Sequence, residues 1–560
     1  MDRERVLSNQ TIVIENGRIA ALGAVGTVRI PGGAAVIDGR GRYLLPGLAD
    51  MHVHLSPDVG ARPDFGDGPI FLASGVTTVL NLHGDAEHLR WRRQIEGGEI
   101  LAPTLYTAGE FVNEPRINTP EDAKREVRAQ KDAGFDVIKF REVVAGREVL
   151  TTHGLSLETY RSLIAAARAA GIPLVGHAPN NLGIDAALDA GQSLAHAGQF
   201  LFSYFWPNET PAFRTATRFS IVGAALVLLV IVLAVGGAVP RRERLAAPHV
   251  PSIRKALLMD AILALAVATA GALSAREIHD LRWLDDDLRR VALSVAGAAI
   301  AFALAAIAWR AWRRARAPLP TTAAGSHRSL GIYATVAVIT FLIVAPLTAY
   351  WMSILWRSSS VGMDRIAART KRAGIFVITT LVVNRWTDLA DRASLGPINP
   401  RLLRAWQERL RPMITDERRR LGTQELHLIG MLVGKLQRAG VPIVAGTDTF
   451  GWPFITPGLS LHEELACLEG TGMSRFAVLR AATAEPASLL GRGGEFGTIV
   501  VGARADLVLT NGNPLQDLNT LRTPRGVMTR GRWLSREMLQ AGLDALSGGT
   551  LPTSHTRAAP

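Results

Sequence analysis

Short apolar segments alternate with helical ones over most of this chain, and that alternation restricts the fold more than any other feature. "GVTTVLNL" and "FDVIKF" read as strands, and "TPEDAKREVRAQKDAG" between them reads as a helix with Thr119 capping it ahead of Pro120. "SLETYRSLIAAARAAG" is a second helix that Ser156 and Thr159 can start, followed by the strand "IPLVGHA", the helix "NLGIDAALDAG" and the strand "SLAHA". Further on come "MDRIAARTKRAG" (helix), "IFVITTLVV" (strand), "TQELHLIGMLVGKLQRAG" (helix) and "VPIVAGTD" (strand). Repeated strand–helix units imply an α/β fold with a parallel sheet, here a closed (β/α)8 TIM-like barrel over residues 46–205 and 360–485. The two chain ends differ. "QTIVIENGRIAALG", "AVIDGRGRYLLPG", "EFGTIVVGARADLVLTNG" and "RGVMTRGRWL" read as short strands with Gly and Asn turns, a small β-sandwich domain from residues 1–45 and 486–535. Residues 540–560 read as a disordered tail.

Four uncharged or nearly uncharged runs interrupt this pattern within residues 206–359. They cover 219–239, 256–275, 291–309 and 330–356; the second carries Asp260 and the last carries Pro346, with Tyr350, Trp351 and Trp356 suited to an interface. Each is long enough to cross a bilayer as a helix, so the insert is expected to be a four-helix, multi-pass transmembrane segment. An excess of Lys and Arg, 62 against 49 Asp and Glu, gives a net charge of +13. Many of the arginines flank these runs, which favours a lipid bilayer over nucleic acid as the partner, and no nucleic-acid motif is present. Arg and Lys are concentrated in the first and third connections (Arg241, Arg242, Arg244, Arg254 and Lys255; Arg310, Arg313, Arg314, Arg316 and Arg328). By the positive-inside rule these are cytoplasmic, and the barrel faces outward from a bacterial cell membrane. The first residues show no apolar export signal. The single cysteine, Cys467, excludes an intrachain disulfide.

Chemistry concentrates where strands end. In "LPGLADMHVHLS", His52 and His54 sit one residue apart in a strand-like run and project from the same face, an arrangement suited to a divalent metal. Active-site residues of a parallel barrel lie at the C-terminal ends of its strands. Lys139 in "VIKF", His177 in "LVGHA", His196 in "SLAHA" and Asp448 in "IVAGTD" each occupy that position. Each alone is more often structural; together with the His pair they place four His, one Lys and one Asp on one rim. His83 and His153 lie in rim loops and read more readily as surface residues. His462 starts a helix and reads as structural.

These segments resemble the amidohydrolase superfamily, and within it the imidazolonepropionase-like and dipeptidase-like metal-dependent hydrolases. The matching stretches are "ENGRIAALG", "LLPGLADMHVHL", "GVTTVLNL", "GFDVIKF", "VGHA", "SLAHAG", "GTDT", "ATAEPASLLG" and "GTIVVGARADLVLTNGNPLQD", in the expected order. The resemblance implies two divalent metals; the N/O ligands suit zinc, and the sequence does not separate it from manganese or cobalt. It implies His52 and His54 as ligands of one, His177 and His196 as ligands of the other, Lys139 carboxylated to bridge them, and Asp448 as ligand and proton carrier. A hydroxide bridging the metals then attacks a C–N (amide or peptide-like) bond of a small-molecule substrate. The insert falls in a strand-to-helix loop, which suggests an amphipathic substrate. Members usually have one more strand before "TIVIENGRIAALG", so the start reads as truncated. Two other functions fit the residues less well: a lactonase or esterase on the same site, and a non-catalytic membrane sensor that keeps the barrel as a ligand-binding domain.

Overall fold

The computed structural model describes residues 1, 3–141, 154–205, 356–390 and 396–547. Residues Met1–Tyr204 and Met363–Pro560 form one compact unit, and Phe205–Gly362 a second. In the second unit, the Ser359 hydroxyl donates to the Trp356 carbonyl and accepts from the Gly362 amide.

The first unit opens with an antiparallel hairpin, β1 (Gln10–Glu15) and β2 (Arg18–Ala24). Asn16 and Gly17 turn it with φ of 50° and 75°, the left-handed pair that matches the twist of two-residue hairpins. β3 (Tyr43–Pro46) then pairs with a strand from the far end of the chain. The eight strands that follow are parallel. β4 (Leu48–Val53), β5 (Val76–Asn81) and β6 (Thr104–Thr107) form one sheet. β7 (Ile138–Phe140), β8 (Leu174–Gly176), β9 (Ser193–Ala195), β10 (Val377–Ile378) and β11 (Ile443–Val444) form another, in sequence order. Isolated parallel bridges link the two sheets at both edges, Ala108 with Val137 and Val112 with Phe140 at one and Val53 with Thr449 at the other. One apolar cluster lies among them, with Ala49, Met51, Leu80, Tyr106, Val137, Val175, Ala195, Ile378 and Val444 all buried.

Helices separate the strands, and their starts follow local chemistry. Thr119 caps Pro120–Ala133 by accepting the Asp122 amide at 3.2 Å, and Ser156 caps Leu157–Ala169 by accepting that of Thr159 at 3.1 Å. The helix Asp416–Arg438 begins seven residues ahead of the expected "TQEL", because Thr415 caps it. β12 (Leu507–Thr510), β13 (Gly526–Thr529) and β14 (Arg532–Ser535) complete an antiparallel sheet in the order β14-β13-β12-β3, so both chain ends build it. The structure gives this sheet and the separate β1–β2 hairpin where a small β-sandwich of short strands was expected. "EFGTIVVGARADLVLTNG" yields β12 alone.

Several expectations are corrected. "IFVITTLVV" is strand only over Val377–Ile378; its remainder turns at Thr380 into the short 3-10 helix Leu381–Arg385. Residues 540–547, expected in a disordered tail, belong to the helix Arg536–Ser547, which buries Leu539 and Leu546. The expected multi-pass membrane localisation with the barrel outside is corrected, since among the described residues no helix is long and apolar enough to cross a membrane, and the expected lipid bilayer partner has no support. The four apolar runs and Asp260 lie outside the described residues, except Trp356 at the end of the last run.

The short parallel strands leave little room between neighbours. A Cβ added at Gly176 meets the Phe140 carbonyl oxygen at 2.1 Å, well inside contact distance. Gly176→Ala is therefore expected to force β7 and β8 apart and to lower stability by about 1–3 kcal/mol, read as a lower urea midpoint.

Candidate metal centre

β4 carries Asp50 and His52, and His54 follows the strand directly, so the three stand at alternate positions. Asp50 is fully buried and accepts three hydrogen bonds: the Thr447 amide at 3.0 Å, the Thr447 hydroxyl at 2.7 Å and the His52 amide at 3.3 Å. It thereby ties β4 to the segment after β11. Backbone bonds reinforce the tie, from the Asp448 amide to the His52 carbonyl at 2.7 Å and from the His54 amide to the Thr449 carbonyl at 2.9 Å. Asp448 consequently faces the two imidazoles. Its Oδ1 lies 2.9 Å from Nε2 of His54 and 3.4 Å from Nε2 of His52. Donor atoms of His52, His54 and Asp448 all fall within 4.8 Å of one another, a grouping that could hold a metal ion.

The remaining rim residues gather beside this group. The His196 ring lies 4.4 Å from that of His52 and 5.1 Å from that of His177, centroid to centroid, and His196 Nδ1 is 4.0 Å from Oδ2 of Asp448. Lys139 is buried at the centre of β7. Just past the ends of the adjacent strands β9, β10 and β11 stand three non-glycine residues in the left-handed region: His196 at φ 71°, Thr380 at φ 48° and Asp448 at φ 61°. Such conformations cost about 1–3 kcal/mol each and cluster at functional sites. The Thr380 hydroxyl lies 2.9 Å from Nδ1 of His196. Thr380 is held in turn by Glu464, a fully buried carboxylate that accepts the Thr379 hydroxyl and, at 2.7 Å, the Val382 amide.

Burial sets the charge states. It drives His52 and His177 well below the usual imidazole range and His196 down to about 3, so these rings are neutral and keep a lone pair for a ligand. Burial also lowers Lys139 to about 7, against the opposing pull of Asp448. For Asp448 burial acts upward, but His196, His54 and Lys139 outweigh it and bring the carboxyl to about 2. The centre thus offers three neutral imidazoles, one carboxylate and an amine that loses its proton near neutrality.

Nearly all buried polar atoms in proteins have a hydrogen-bond partner. Here Nδ1 and Nε2 of His52, Nζ of Lys139 and Oδ1 of Asp448 have none. The contact from Asp448 Oδ1 to His54 is close without hydrogen-bond alignment. Unpaired nitrogen and oxygen donors converging in one place fit divalent metals, and the donor types suit zinc among others. All six rim residues singled out in the sequence therefore lie in or beside one cluster. His83 stands next to it, its ring 6.5 Å from that of His54 and stacked on Phe111 at 4.0 Å. His462 is buried with Nε2 3.0 Å from the Ser74 carbonyl, and His153 lies outside the described residues. Sequence reasoning missed Asp50, Thr380 and Glu464. For Asp50 a signal existed, since an acid inside an otherwise apolar strand requires partners.

A family model described as the amidohydrolase family matches residues 399–532, which include Asp448. The chain is 38% identical over 106 residues to an enamidase of Eubacterium barkeri, covering 18% of this chain and 26% of that protein. It is 28% identical over 231 residues to adenine deaminase 3 of Rhizobium johnstonii, covering 37% of each. The matched parts thus span 26% and 37% of these curated relatives. Among solved structures, a bottromycin amidohydrolase superposes with a TM-score of 0.53 at 20% identity, over 97% of this chain and 87% of that one. A putative prolidase from Bifidobacterium longum superposes with a TM-score of 0.51 at 20% identity, over 96% and 93%. The α/β fold is amidohydrolase-like.

Two expectations follow from the geometry. A Cβ at Gly451 would stand 2.3 Å from Oδ1 of Asp448 and 2.8 Å from Cδ2 of His54. Gly451→Ala should displace both donors and weaken metal binding by about tenfold or more, read by metal titration. Burial raises Glu464 from 4.5 to about 7, against its hydrogen bonds from Thr379 and Val382. Between those values the unfolded chain has released this proton and the native one has not, so stability falls as pH rises from about 4.5 to about 7 and then levels. Glu464→Gln should remove that share of the slope in urea midpoints of metal-free protein, while the share from Asp50, also raised to about 7 by burial, persists.

Proposed function

We propose that this chain is a binuclear metal-dependent amidohydrolase that cleaves an amide or peptide-like C–N bond of a small molecule. The reading rests above all on the convergence of buried, unpartnered donors from His52, Lys139 and Asp448 beside three further imidazoles. His52 and His54 would hold one divalent ion, zinc by preference, and His177 and His196 the other. A lysine that is neutral near pH 7 is nucleophilic toward CO₂. Its nitrogen attacks the carbon, a proton leaves to solvent, and the resulting carbamate is an anion with two oxygens able to serve both ions. Two ions so held supply Lewis acidity and lower the pKa of a water.

Asp448 is placed for proton transfer. It touches His54 and His52 on one side and faces His196 on the other, and its low pKa keeps it ionised and able to accept a proton from the attacking water. Passing that proton to the departing nitrogen completes C–N cleavage, because an amine leaves far more readily than an amide anion. The surrounding fold is read as one closed (β/α)8 barrel, over about 46–205 and 360–485. Supporting this are the parallel bridges at both sheet edges and the single apolar cluster drawn from all eight parallel strands and their margins. The small β-domain is read as residues 1–45 and 486–535, on the support of the sheet that β3 shares with β12–β14.

Elemental analysis of protein purified with bicarbonate tests the reading, wild type beside Lys139→Ala. About two metals per wild-type chain, with fewer in the variant, are expected. The metal-free wild type should regain amide hydrolysis when zinc is returned, and Asp448→Asn, metal-loaded, should lose about 10²–10⁴ in kcat. A wild type that binds fewer than two metals contradicts the binuclear reading, and one that binds none contradicts metal-dependent catalysis altogether.

A further inference from the structure

β10 stops two residues after it begins to pair, although the sequence continues apolar and β-branched through "VITTLVV". Glu464, from the helix Leu459–Gly470, reaches under this segment. It takes the Thr379 hydroxyl on one oxygen and the Val382 amide on the other. The two grips span Thr380, which sits between them at φ 48° and ψ 42°. A β-branched residue in that region is a genuine outlier and persists only where its surroundings enforce it. The enforced turn has one visible consequence: the Thr380 hydroxyl is set 2.9 Å from Nδ1 of His196. A glycine would make the turn without strain but would offer no hydroxyl.

We propose that Glu464 and Thr380 are positioning residues for the second metal: Glu464 locks Thr380 in the left-handed turn so that its hydroxyl accepts the Nδ1 proton of His196. With Nδ1 carrying the proton, Nε2 keeps its lone pair, the tautomer a metal requires, and the ring is fixed in orientation. The inference rests on the binuclear reading above, in which His196 is a ligand. It explains why a strained threonine and a buried carboxylate, both costly, occur together at this rim.

The test uses the full chain loaded with cobalt(II), whose visible absorption reports the ligand geometry of each ion, together with metal titration and thermal unfolding of the metal-free protein. Thr380→Val and Glu464→Gln are expected to weaken the second metal about 10- to 100-fold and to alter its absorption band, with the first metal unchanged. Thr380→Ser should restore binding. Thr380→Gly should keep or raise the unfolding temperature of the metal-free protein, because strain is relieved, and still weaken the second metal; a purely structural role would not produce that split. Should Glu464→Gln fail to fold, the three Thr380 variants carry the test. Two metals bound with unchanged affinity and spectrum in Thr380→Val and Thr380→Gly would overturn this inference alone. A wild type that takes up fewer than two metals would instead overturn the binuclear reading on which it rests.

Discussion

Removing an ionisable group from water is costly unless something replaces the water, and this fold does so repeatedly in one place. Asp448 and His52 lie buried within a few ångströms of further imidazoles, Lys139 is buried where its charge acts on His52 and His177, and several polar atoms of these three have no hydrogen-bond partner. Apolar packing alone gives no reason to gather such groups. Their convergence makes sense where the missing partners are cations with several coordination positions. The same burial that is unfavourable for stability keeps the imidazoles neutral and brings the lysine near its neutral form.

The scaffold behind the centre holds it at two matched points. Asp50 grips Thr447 just ahead of left-handed Asp448, and Glu464 grips Thr379 just ahead of left-handed Thr380. In both, a buried carboxylate takes up a threonine hydroxyl and a backbone amide, and the chain turns sharply at the next residue. Strain at the rim is thus offset by polar anchors inside the fold. β9, β10 and β11 are adjacent, so these turns deliver His196, Thr380 and Asp448 to one edge of the sheet.

Much of this was legible in the sequence where the cause is local. Thr119 and Ser156 cap helices through amides three residues away, and Asn16–Gly17 turns a hairpin by its own backbone preference. Lys139, His177, His196 and Asp448 were visible because each is polar and closes an apolar strand. What was not legible depends on distant partners. "IFVITTLVV" has strand composition throughout, yet Glu464, more than eighty residues later, ends the strand at Ile378. Asp50 finds Thr447 across nearly four hundred residues. β6, "TLYT", is short and carries little apolar signal of its own. The final helix, Arg536–Ser547, hides in a stretch whose end is rich in Gly and Pro.

The central claim is that the buried donors are a two-metal site. An anomalous-difference map from crystals of zinc-loaded protein grown with bicarbonate tests it most directly. The account predicts two peaks about 3.5–4 Å apart, one against His52 and His54 and the other against His177 and His196, with density for a carbamate on Nζ of Lys139 between them. A single peak, or peaks away from these side chains with Lys139 left as a bare amine, would contradict it.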